Sequence, residues 1–434
     1  MDKLVPEVAK QKLAPVAKQK LAPVAKPRIA IHIFHRDLRT TDNEALIKVA
    51  EIAQKTKSDL VTIFIFTPEQ VTTNPYKSTN SIEFMLNSLE DLNQHQLNNK
   101  LSVVYSQQLE ALIEIQERYT IVAISEQRDY TPYAKKRETE TVLFCAQNDI
   151  TYIAGQDLYL TIPGSVTNKS GRMFQKFTPF YDHAKTQPIR EPFASAKALN
   201  RLHKLNLKTS TTLQIMRQRL VPHSNPHLHV KGGRQEALTL FQHMPKNYSK
   251  ERDVPSIPTS NLSAHNHFGT VSIREVYEAL NNDEFRRQLY WRDFYGHIVD
   301  AFEDLYKISP YDFQKDPQPG WSTDKEEFKK WTEGRTGHEF VDAAMKQLLK
   351  TGYIHNRPRM LAATYLTKHL KIHWRWGEQH FAKNLVDYDF SQNFGGWSGV
   401  ASVLPYSTAP FRSLDPEIQQ KKFDPQRVYI QKYL

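Results

Sequence analysis

The sequence predicts a two-domain protein: an α/β N-terminal domain with a five-stranded, parallel, Rossmann-like sheet, followed by an all-α C-terminal domain. A chain of 434 residues is too long for one compact core. Its hydrophobic pattern also changes, from short apolar runs to apolar residues at three- and four-residue steps. These observations divide the chain into a repeat tail (1–27), an α/β domain (28–157), a connector (158–236) and a helical domain (237–434).

Five apolar runs in the N-terminal domain have the length and β-branched composition of strands. They are IAIHIF (29–34), DLVTIFIF (59–66), LSVVYS (101–106), YTIVAIS (119–125) and ITYIAGQD (150–157). Helix-length segments such as 43–56 and 81–98 separate the runs, and this alternation is typical of a parallel sheet covered on both faces. No G-x-G-x-x-G follows the first run, so the sheet carries no dinucleotide-binding fingerprint.

The C-terminal half contains long segments with helical periodicity and no strand pattern between them. Examples are VSIREVYEAL (271–280), RRQLYWRDFYGHIVDAF (286–302), EFVDAAMKQLLKTG (339–352) and PRMLAATYLTKHLKIHW (358–374). Apolar residues recur in each at three- and four-residue steps, which predicts helices with one buried face.

The formal net charge of +11 is concentrated in the connector. Residues 158–236 contain 13 basic and 3 acidic side chains, a net +10, whereas residues 29–157 contain 12 basic and 18 acidic ones, a net −6. A basic band of this kind favours a polyanionic partner, with nucleic acid as the leading candidate. A solubilising linker is the alternative, and charge alone does not separate the two.

Composition also predicts the compartment. No apolar run approaches the roughly 20 residues that a membrane span requires, and lysines and prolines interrupt the N-terminal segment where a signal peptide would need an apolar stretch. The single cysteine, Cys145, argues against a disulfide framework and a thiolate zinc site. We expect a monomer in a reducing compartment, cytoplasmic or nuclear, with no membrane partner.

The N-terminal tail contains QKLAPVAK twice in tandem, at 11–18 and 19–26. A proline in every eight residues prevents a continuous helix, so the tail is predicted to be flexible and basic. It either adds weak attraction for phosphates or is an inert extension.

The segment VDYDFSQNFGGW (386–397) combines two carboxylates, an amide, a double glycine and a tryptophan. Each glycine costs roughly 1 kcal/mol inside a helix, so Gly395-Gly396 predicts a loop that something flat or bulky approaches closely. Arg359, in HNRPRM (355–360), is expected to pair with Asp387 or Asp389 beside it. A purely structural salt bridge is the alternative.

Other candidate residues carry weaker signals. TSNLS (259–263) offers hydroxyls and backbone N–H groups before a helical segment, which suits a phosphate at a helix N-terminus. All six tryptophans lie in the helical half, where they are either core residues or parts of an electron-transfer or stacking site. None of the histidines lies in an H-E-x-x-H or similar pattern, so no metal site is predicted.

These segments together resemble the photolyase/cryptochrome family, and most closely its class I cyclobutane pyrimidine dimer photolyases. The C-terminal blocks are TSNLS, FGTVSIREVY, WRDFY, GRTGHEFVDAAMKQLLKTGYIHNRPRM, WRWGEQHF, VDYDFSQNFGGW and FDPQRVYIQKYL. IFHRDLRTTDNEAL and DYTPYAKKRE are similar to the family's antenna domain, and FQKFTPFYDHA matches in the connector. The resemblance extends from about residue 28 to residue 434.

The resemblance implies that the C-terminal domain binds FAD. It places Asn393 at the flavin N5, with Asp387, Asp389 and Arg359 along the ring system and Arg292 on the flavin side. Further cofactor contacts are implied for Tyr248, Thr259, Ser260, Asn261, Leu262, Ser263 and Asn356. It also leaves room for a second, antenna chromophore, a pterin or a deazaflavin, whose identity the sequence does not decide.

The resemblance assigns three tryptophans to an electron relay between flavin and surface: Trp397, Trp374 and Trp321. With Asn393 they form the implied catalytic set. The implied activity is light-driven repair of pyrimidine dimers in DNA by electron transfer from excited, reduced FAD.

The implied substrate pocket departs from the class I pattern at two positions. Trp291, Asn356 and Met360 match residues that meet the dimer. Gln288 stands in place of a glutamate, and Gly399 in place of a second tryptophan. A cryptochrome photoreceptor without repair activity is therefore one alternative, and a DASH-like DNA-binding flavoprotein without duplex repair is the other.

Overall fold

Parallel strands form the central sheet, in the order β3-β2-β1-β4-β5. The computed structural model describes residues 26–194, 199–245, 247–302, 320–403 and 413–434, so nearly all of the repeat tail lies outside it. The strands are β1 (Arg28–Phe34), β2 (Asp59–Phe66), β3 (Ser102–Tyr105), β4 (Thr120–Gln127) and β5 (Thr151–Gly155). All five predicted strands are confirmed, with boundaries shifted by at most two residues.

Helices cover both faces of this sheet. They are α1 (Glu44–Lys55), α2 (Pro68–Val71), α3 (Thr79–Asp91), α4 (Gln108–Arg118) and α5 (Pro132–Gln147). Alternate residues of β1 face opposite sides, so Ala30 and Phe34 pack with α1 and α3, whereas Ile29 and Ile31 pack with α4 and α5. This two-sided burial explains the nearly continuous apolar strands.

The connector folds back onto the N-terminal domain. It contains α6 (Phe177–Ala184), β6 (Leu202–His203) and α7 (Leu213–Leu220), and β6 adds a short parallel strand beside β2. Several of its basic side chains pair with the acidic domain. Arg190 lies 2.6 Å from Asp42 and 2.8 Å from Asp157. Part of the connector's charge is thus neutralised internally.

The rest of the described chain is helical, as predicted. The helices are α8 (Arg234–Gln242), α9 (Tyr248–Glu251), α10 (Ser263–Phe268), α11 (Ile273–Ala279), α12 (Asp283–Ala301), α13 (Lys325–Thr332), α14 (Glu339–Thr351), α15 (Asn356–Thr364), α16 (Trp374–Asn384), α17 (Phe390–Ala401), α18 (Pro416–Phe423) and α19 (Val428–Tyr433). Among the described helices none combines the length and apolar character needed to cross a membrane.

The loop that follows β1 joins the two domains. The backbone N–H of Leu38 donates to the carbonyl of Phe268 at 3.1 Å. Gly269 adopts a φ of +64°, and a Cβ atom there would lie 2.1 Å from the carbonyl oxygen of Arg36. Because only glycine allows this approach without strain, the loop lies close to α10, and its Arg36 reaches the start of α17.

Candidate functional site

Asp389 begins helix α17 and is almost fully buried. One carboxylate oxygen accepts the backbone N–H of Gln392 at 3.1 Å, and the other accepts the Arg36 guanidinium and lies 3.2 Å from His267 Nδ1. Burial alone would raise the pKa of Asp389, but the Arg36 charge and the His267 contact hold it well below its usual range. Asp389 is therefore an ionised N-cap joined to the N-terminal domain.

Asp387 pairs with Arg359. Both of its oxygens lie 3.3 Å from Arg359 Nη2, and the same guanidinium donates to the carbonyl of Ile354. Two partners were expected for Arg359, and the structure pairs it with Asp387. Asp389 contacts Arg36 and His267 instead.

Asn393 lies one turn into α17, on a network that links both domains. Its Nδ2 donates to the backbone carbonyl of Glu378 at 3.0 Å and lies 3.3 Å from that residue's carboxyl oxygen. Glu378 is fully buried and also contacts Tyr76 and Arg375. Burial raises the pKa of Glu378. These contacts hold the Nδ2 side of the Asn393 amide. Its Oδ1 accepts no hydrogen bond from the described residues.

The double glycine lies inside helix α17, so the loop predicted for it is wrong. The cause is tertiary packing: a Cβ on Gly395 would lie 2.1 Å from the ring of Tyr295 in α12. No described atom lies within 4 Å of a Cβ on Gly396. The glycine that Trp397 requires is Gly377, where a Cβ would lie 2.2 Å from the indole.

We predict opposite effects for two neighbouring substitutions. Gly395→Ala should lower the free energy of unfolding by about 2 kcal/mol, since overpacking against Tyr295 outweighs the better helix propensity. Gly396→Ala is the matched control and should raise it by up to about 1 kcal/mol. Guanidinium unfolding followed by circular dichroism measures both. Equal effects would contradict the packing argument.

The TSNLS segment leads into α10, which begins at Ser263 with Leu262 as its N-cap residue. Asn261 has a φ of +54°, and its Oδ1 lies 3.0 Å from His229 Nε2. Thr259 and Ser260 are partly buried beside it. The segment therefore precedes a helix, as expected. Its contact with a phosphate stays a prediction.

Two more expected cofactor residues are buried. Tyr248 packs edge-on against Phe285, with ring centroids 5.3 Å apart, and burial raises its pKa to about 12. Arg292 donates to the carbonyls of Leu158 and Asn266, so it joins α12 to the segment after β5 and to α10.

The three expected relay tryptophans differ in burial. Trp397 and Trp374 are 3% and 4% exposed, whereas Trp321 is partly exposed. The ring of His373 lies 5.4 Å from Trp321 and 6.2 Å from Trp374. Two of these tryptophans are therefore buried and the third reaches the surface, and their electron transfer stays a prediction.

The four expected substrate residues lie on α12 and α15. Trp291 stacks on Phe177 with ring centroids 3.6 Å apart and stays partly exposed. Gln288, one turn earlier, donates to the carbonyl of Glu284 at 3.0 Å. Asn356 is exposed, and Met360 is partly buried on the same helix.

Sequence reasoning missed several residues that position this site. Glu378 and Arg36 hold Asn393 and Asp389, and Tyr295 and Phe177 pack against Gly395 and Trp291. The available signal in the sequence was a carboxylate, Glu378, on the apolar face of an amphipathic helix. For Arg36 no local signal existed, because its partner lies 353 residues away.

Comparison with known proteins decides the family. Residues 30–197 match the DNA photolyase family, and residues 285–434 match the FAD binding domain of DNA photolyase. A deoxyribodipyrimidine photo-lyase of Alkalihalophilus pseudofirmus is 30% identical over 421 residues, which span 92% of this chain and 86% of the relative. The chain belongs to the photolyase/cryptochrome family.

Other members of the photolyase/cryptochrome family match more than nine-tenths of the chain. A deoxyribodipyrimidine photo-lyase of Escherichia coli is 28% identical over 424 residues, 92% of this chain and 88% of the relative. The photolyase of Sulfolobus tokodaii, described with two FAD molecules, is 33% identical with a TM-score of 0.80, covering 94% of this chain and 90% of that one. A class III photolyase of Agrobacterium tumefaciens is 26% identical with a TM-score of 0.83, covering 96% and 88%.

The residues present fit the FAD that this family binds through its C-terminal domain. The side-chain oxygen of Asn266 is buried without a hydrogen-bond partner in the described part of the chain. Its backbone carbonyl accepts Arg292, and the next residue, His267, contacts Asp389. A buried acceptor among cations and carboxylates fits a polar cofactor that donates a hydrogen bond.

Proposed function

We propose that this protein is a deoxyribodipyrimidine photo-lyase that repairs cyclobutane pyrimidine dimers in DNA. The observation that carries the proposal is the platform on α12. Trp291 lies flat on Phe177 and one turn before Tyr295, which packs directly against Gly395 of α17. A partly exposed aromatic face thus stands beside the helix that carries Asn393.

This chain's own residues bind and orient the reactants. Trp291 stacks on the extruded lesion, whose extrusion costs a few kcal/mol and less for a damaged pair. Met360 and Asn356 contact the lesion from α15, and Gln288 offers its remaining N–H donor to a thymine carbonyl. Excited, reduced FAD supplies the electron that splits the dimer when it is bound.

The cofactor is held from several helices. Asn393 would hold the flavin at N5, and Asp387, Asp389, Arg359 and Arg292 would line the ring system. The start of α10 would bind the pyrophosphate through the segment 259–263, together with Tyr248. A second chromophore, a pterin or a deazaflavin, would serve as antenna.

The partner is DNA, bound by a monomer in the cytoplasm or nucleus. The buried, single Cys145 suits a reducing compartment. Basic residues of the connector that lie on exposed turns, such as Lys169 and Arg172, supply phosphate contacts.

The decisive experiment is a repair assay on an oligonucleotide with one thymine dimer. Chemically reduced protein should restore the two thymines under blue light and leave the dimer intact in the dark. Single-stranded and duplex substrates are compared, since repair of single strands alone would favour the DASH-like alternative.

A cryptochrome photoreceptor is the second candidate, and Gln288 and Gly399 favour it. Gln288 already donates one N–H to Glu284, which leaves a single N–H for a thymine. No repair of either substrate by fully reduced protein would refute the first candidate and favour the second.

We predict that Gly399→Trp tightens dimer binding. Stacking of an aromatic side chain on a base contributes about 1–3 kcal/mol, so the affinity should rise roughly tenfold. No described atom lies within 4 Å of a Cβ at this position, so there is room for the first side-chain atom. Fluorescence anisotropy with dimer and undamaged oligonucleotides measures the change. A matching gain for undamaged DNA would mean that the tryptophan adds general affinity and no lesion contact.

We predict that Asn393→Ala speeds reoxidation of reduced flavin in air by up to about tenfold, the equivalent of one lost hydrogen bond of about 1.4 kcal/mol. The side chain is partner to N5 and removes little core volume, so the fold should persist. Asn384→Ala, which deletes an amide at the end of α16, is the matched control. Stopped-flow absorbance gives the rates, and a parental rate in Asn393→Ala would sink the assignment.

A further inference from the structure

A loop of the N-terminal domain reaches the network that holds Asn393. The loop, residues 72–78, follows α2 and leads into α3. Within it the backbone N–H of Tyr76 donates to the side chain of Asn74 at 2.9 Å, and the N–H of Lys77 donates to the backbone carbonyl of Asn74 at 3.2 Å. These two bonds form a tight turn, which fixes the backbone from which the Tyr76 ring extends towards the C-terminal domain.

Tyr76 contacts a buried carboxyl group of the other domain. Its hydroxyl donates to Glu378 Oε2 at 3.2 Å, and its ring stacks near that of Tyr388, with centroids 6.4 Å apart at an angle of 26°. Glu378 is fully buried, whereas Tyr76 is partly exposed. Tyr76 therefore links the surface of the N-terminal domain to a carboxyl group inside the C-terminal domain.

Three donors converge on the carboxyl group of Glu378. Tyr76 and Arg375 face Oε2 at 3.2 and 3.5 Å, and Asn393 Nδ2 lies 3.3 Å from Oε1. A carboxylate accepts all three, whereas a protonated carboxyl group becomes a donor at one oxygen and must lose one of them. Burial raises the pKa of Glu378, and the Arg375 charge and the Tyr76 hydrogen bond oppose this rise. The donors therefore favour an accepting carboxylate against the effect of burial.

The orientation of the Asn393 amide decides which group meets the cofactor. Nδ2 faces both the backbone carbonyl and the side chain of Glu378, so Oδ1 of the same planar amide points away from them. Reduced flavin carries a hydrogen on N5 and needs an acceptor there, whereas N5 of oxidised flavin is itself an acceptor. An amide with its oxygen towards the flavin therefore favours the reduced state, and a reversed amide favours the oxidised state.

We propose that Tyr76 is a positioning residue for the flavin: its hydrogen bond keeps Glu378 an acceptor, and Glu378 keeps the oxygen of the Asn393 amide towards N5. This role rests on the proposed function, which places Asn393 at that atom. The N-terminal domain thus stabilises the reduced flavin of the C-terminal domain through two intermediate side chains.

The first test is the rate at which reduced flavin reoxidises in air, followed by stopped-flow absorbance. Tyr76→Phe removes only a hydroxyl group and should speed reoxidation roughly threefold to tenfold, the effect of one lost hydrogen bond. Tyr105→Phe is the matched control, because its hydroxyl lies 3.1 Å from that of Thr72 at the start of the same loop. The control loosens the loop but leaves the contact with Glu378 in place, so it should keep the parental rate.

A double variant shows whether Tyr76 acts through the amide. Adding Tyr76→Phe to Asn393→Ala should change the reoxidation rate no further, because the amide that Tyr76 positions is already absent. Rate increases that multiply in the double variant would mean that Tyr76 acts on the flavin by another route, and they would overturn the proposal.

The pH profile of reoxidation gives a readout that a merely structural role would not move. The titratable groups Arg375, Tyr76 and Tyr388 face Glu378. Loss of a hydrogen bond to the charged form raises the pKa of Glu378 further. The step in the rate that follows this carboxyl group should therefore move upward by about one pH unit in Tyr76→Phe. Glu378→Gln has no proton to exchange and should lack the step.

Two further results would overturn the proposal. One is a parental rate with an unchanged pH step in Tyr76→Phe, and the other is a Tyr105→Phe variant that reoxidises as fast as Tyr76→Phe. Neither measurement uses DNA. Failure of the parent protein to repair dimers would therefore refute the photo-lyase function, whereas parental behaviour of Tyr76→Phe would refute the positioning role alone.

Discussion

Trp397→Phe is expected to remove most of the photoreduction of bound FAD, while chemically reduced protein still repairs dimers. Trp397 is the member of the expected relay nearest the flavin, so its replacement should interrupt electron transfer at the first step. Repair requires only the reduced cofactor and the lesion, so it does not depend on a relay. Steady illumination with an external donor, followed by flavin absorbance, measures the first effect, and the dimer assay measures the second.

A change in packing must be separated from the loss of electron transfer. Trp397 fits against Gly377, and its ring centroid lies 5.0 Å from that of Phe381, so a phenyl ring leaves a small cavity there. Phe381→Leu creates a cavity at the same contact without removing a tryptophan and should keep photoreduction. Parental photoreduction in Trp397→Phe would show that the tryptophans are core residues only.

Asp389→Asn is expected to lower the free energy of unfolding by about 3 kcal/mol at pH 7, since loss of one partner of a buried ion pair strands the other. Arg36 is the stranded cation, although Asp129 remains 3.2 Å away and limits the loss. Asparagine is as good an N-cap as aspartate, so this substitution isolates the charge. Guanidinium unfolding of the FAD-loaded protein measures the change, and FAD retention should fall with it.

The pH dependence of this difference follows from the direction of the shift. The pKa of Asp389 is depressed in the folded protein, so its stabilisation is present above the unfolded-state pKa, about 4, and is lost as the pH falls towards the folded one. The gap between parent and Asp389→Asn should therefore be constant above about pH 5 and narrow below it. Asp389→Ala is the comparison and should cost about 1 kcal/mol more at every pH because the cap is also lost. A gap that widens in acid would contradict an ionised Asp389.

Local patterns predicted the elements well because local forces decide them. The strands of the sheet are apolar runs buried on both faces, and period and composition suffice to place them within two residues. The same reasoning failed for Gly395-Gly396, where helix propensity predicts a loop. Propensity is a preference of about 1 kcal/mol per residue, and the packing of Tyr295 against α17 overrides it.

The sequence by itself determined the two-domain class, the five parallel strands, the helical C-terminal half and the membership of the photolyase/cryptochrome family, because each depends on periodic or ordered local blocks. Only the tertiary structure decided which ion pairs form: Arg359 pairs with Asp387, and Arg36 pairs with Asp389. It also decided that Trp331 touches Trp397 and that Glu378 holds Asn393. These contacts join residues far apart in the chain, and no local pattern records them, since the geometry that brings them together exists only once the helices have packed.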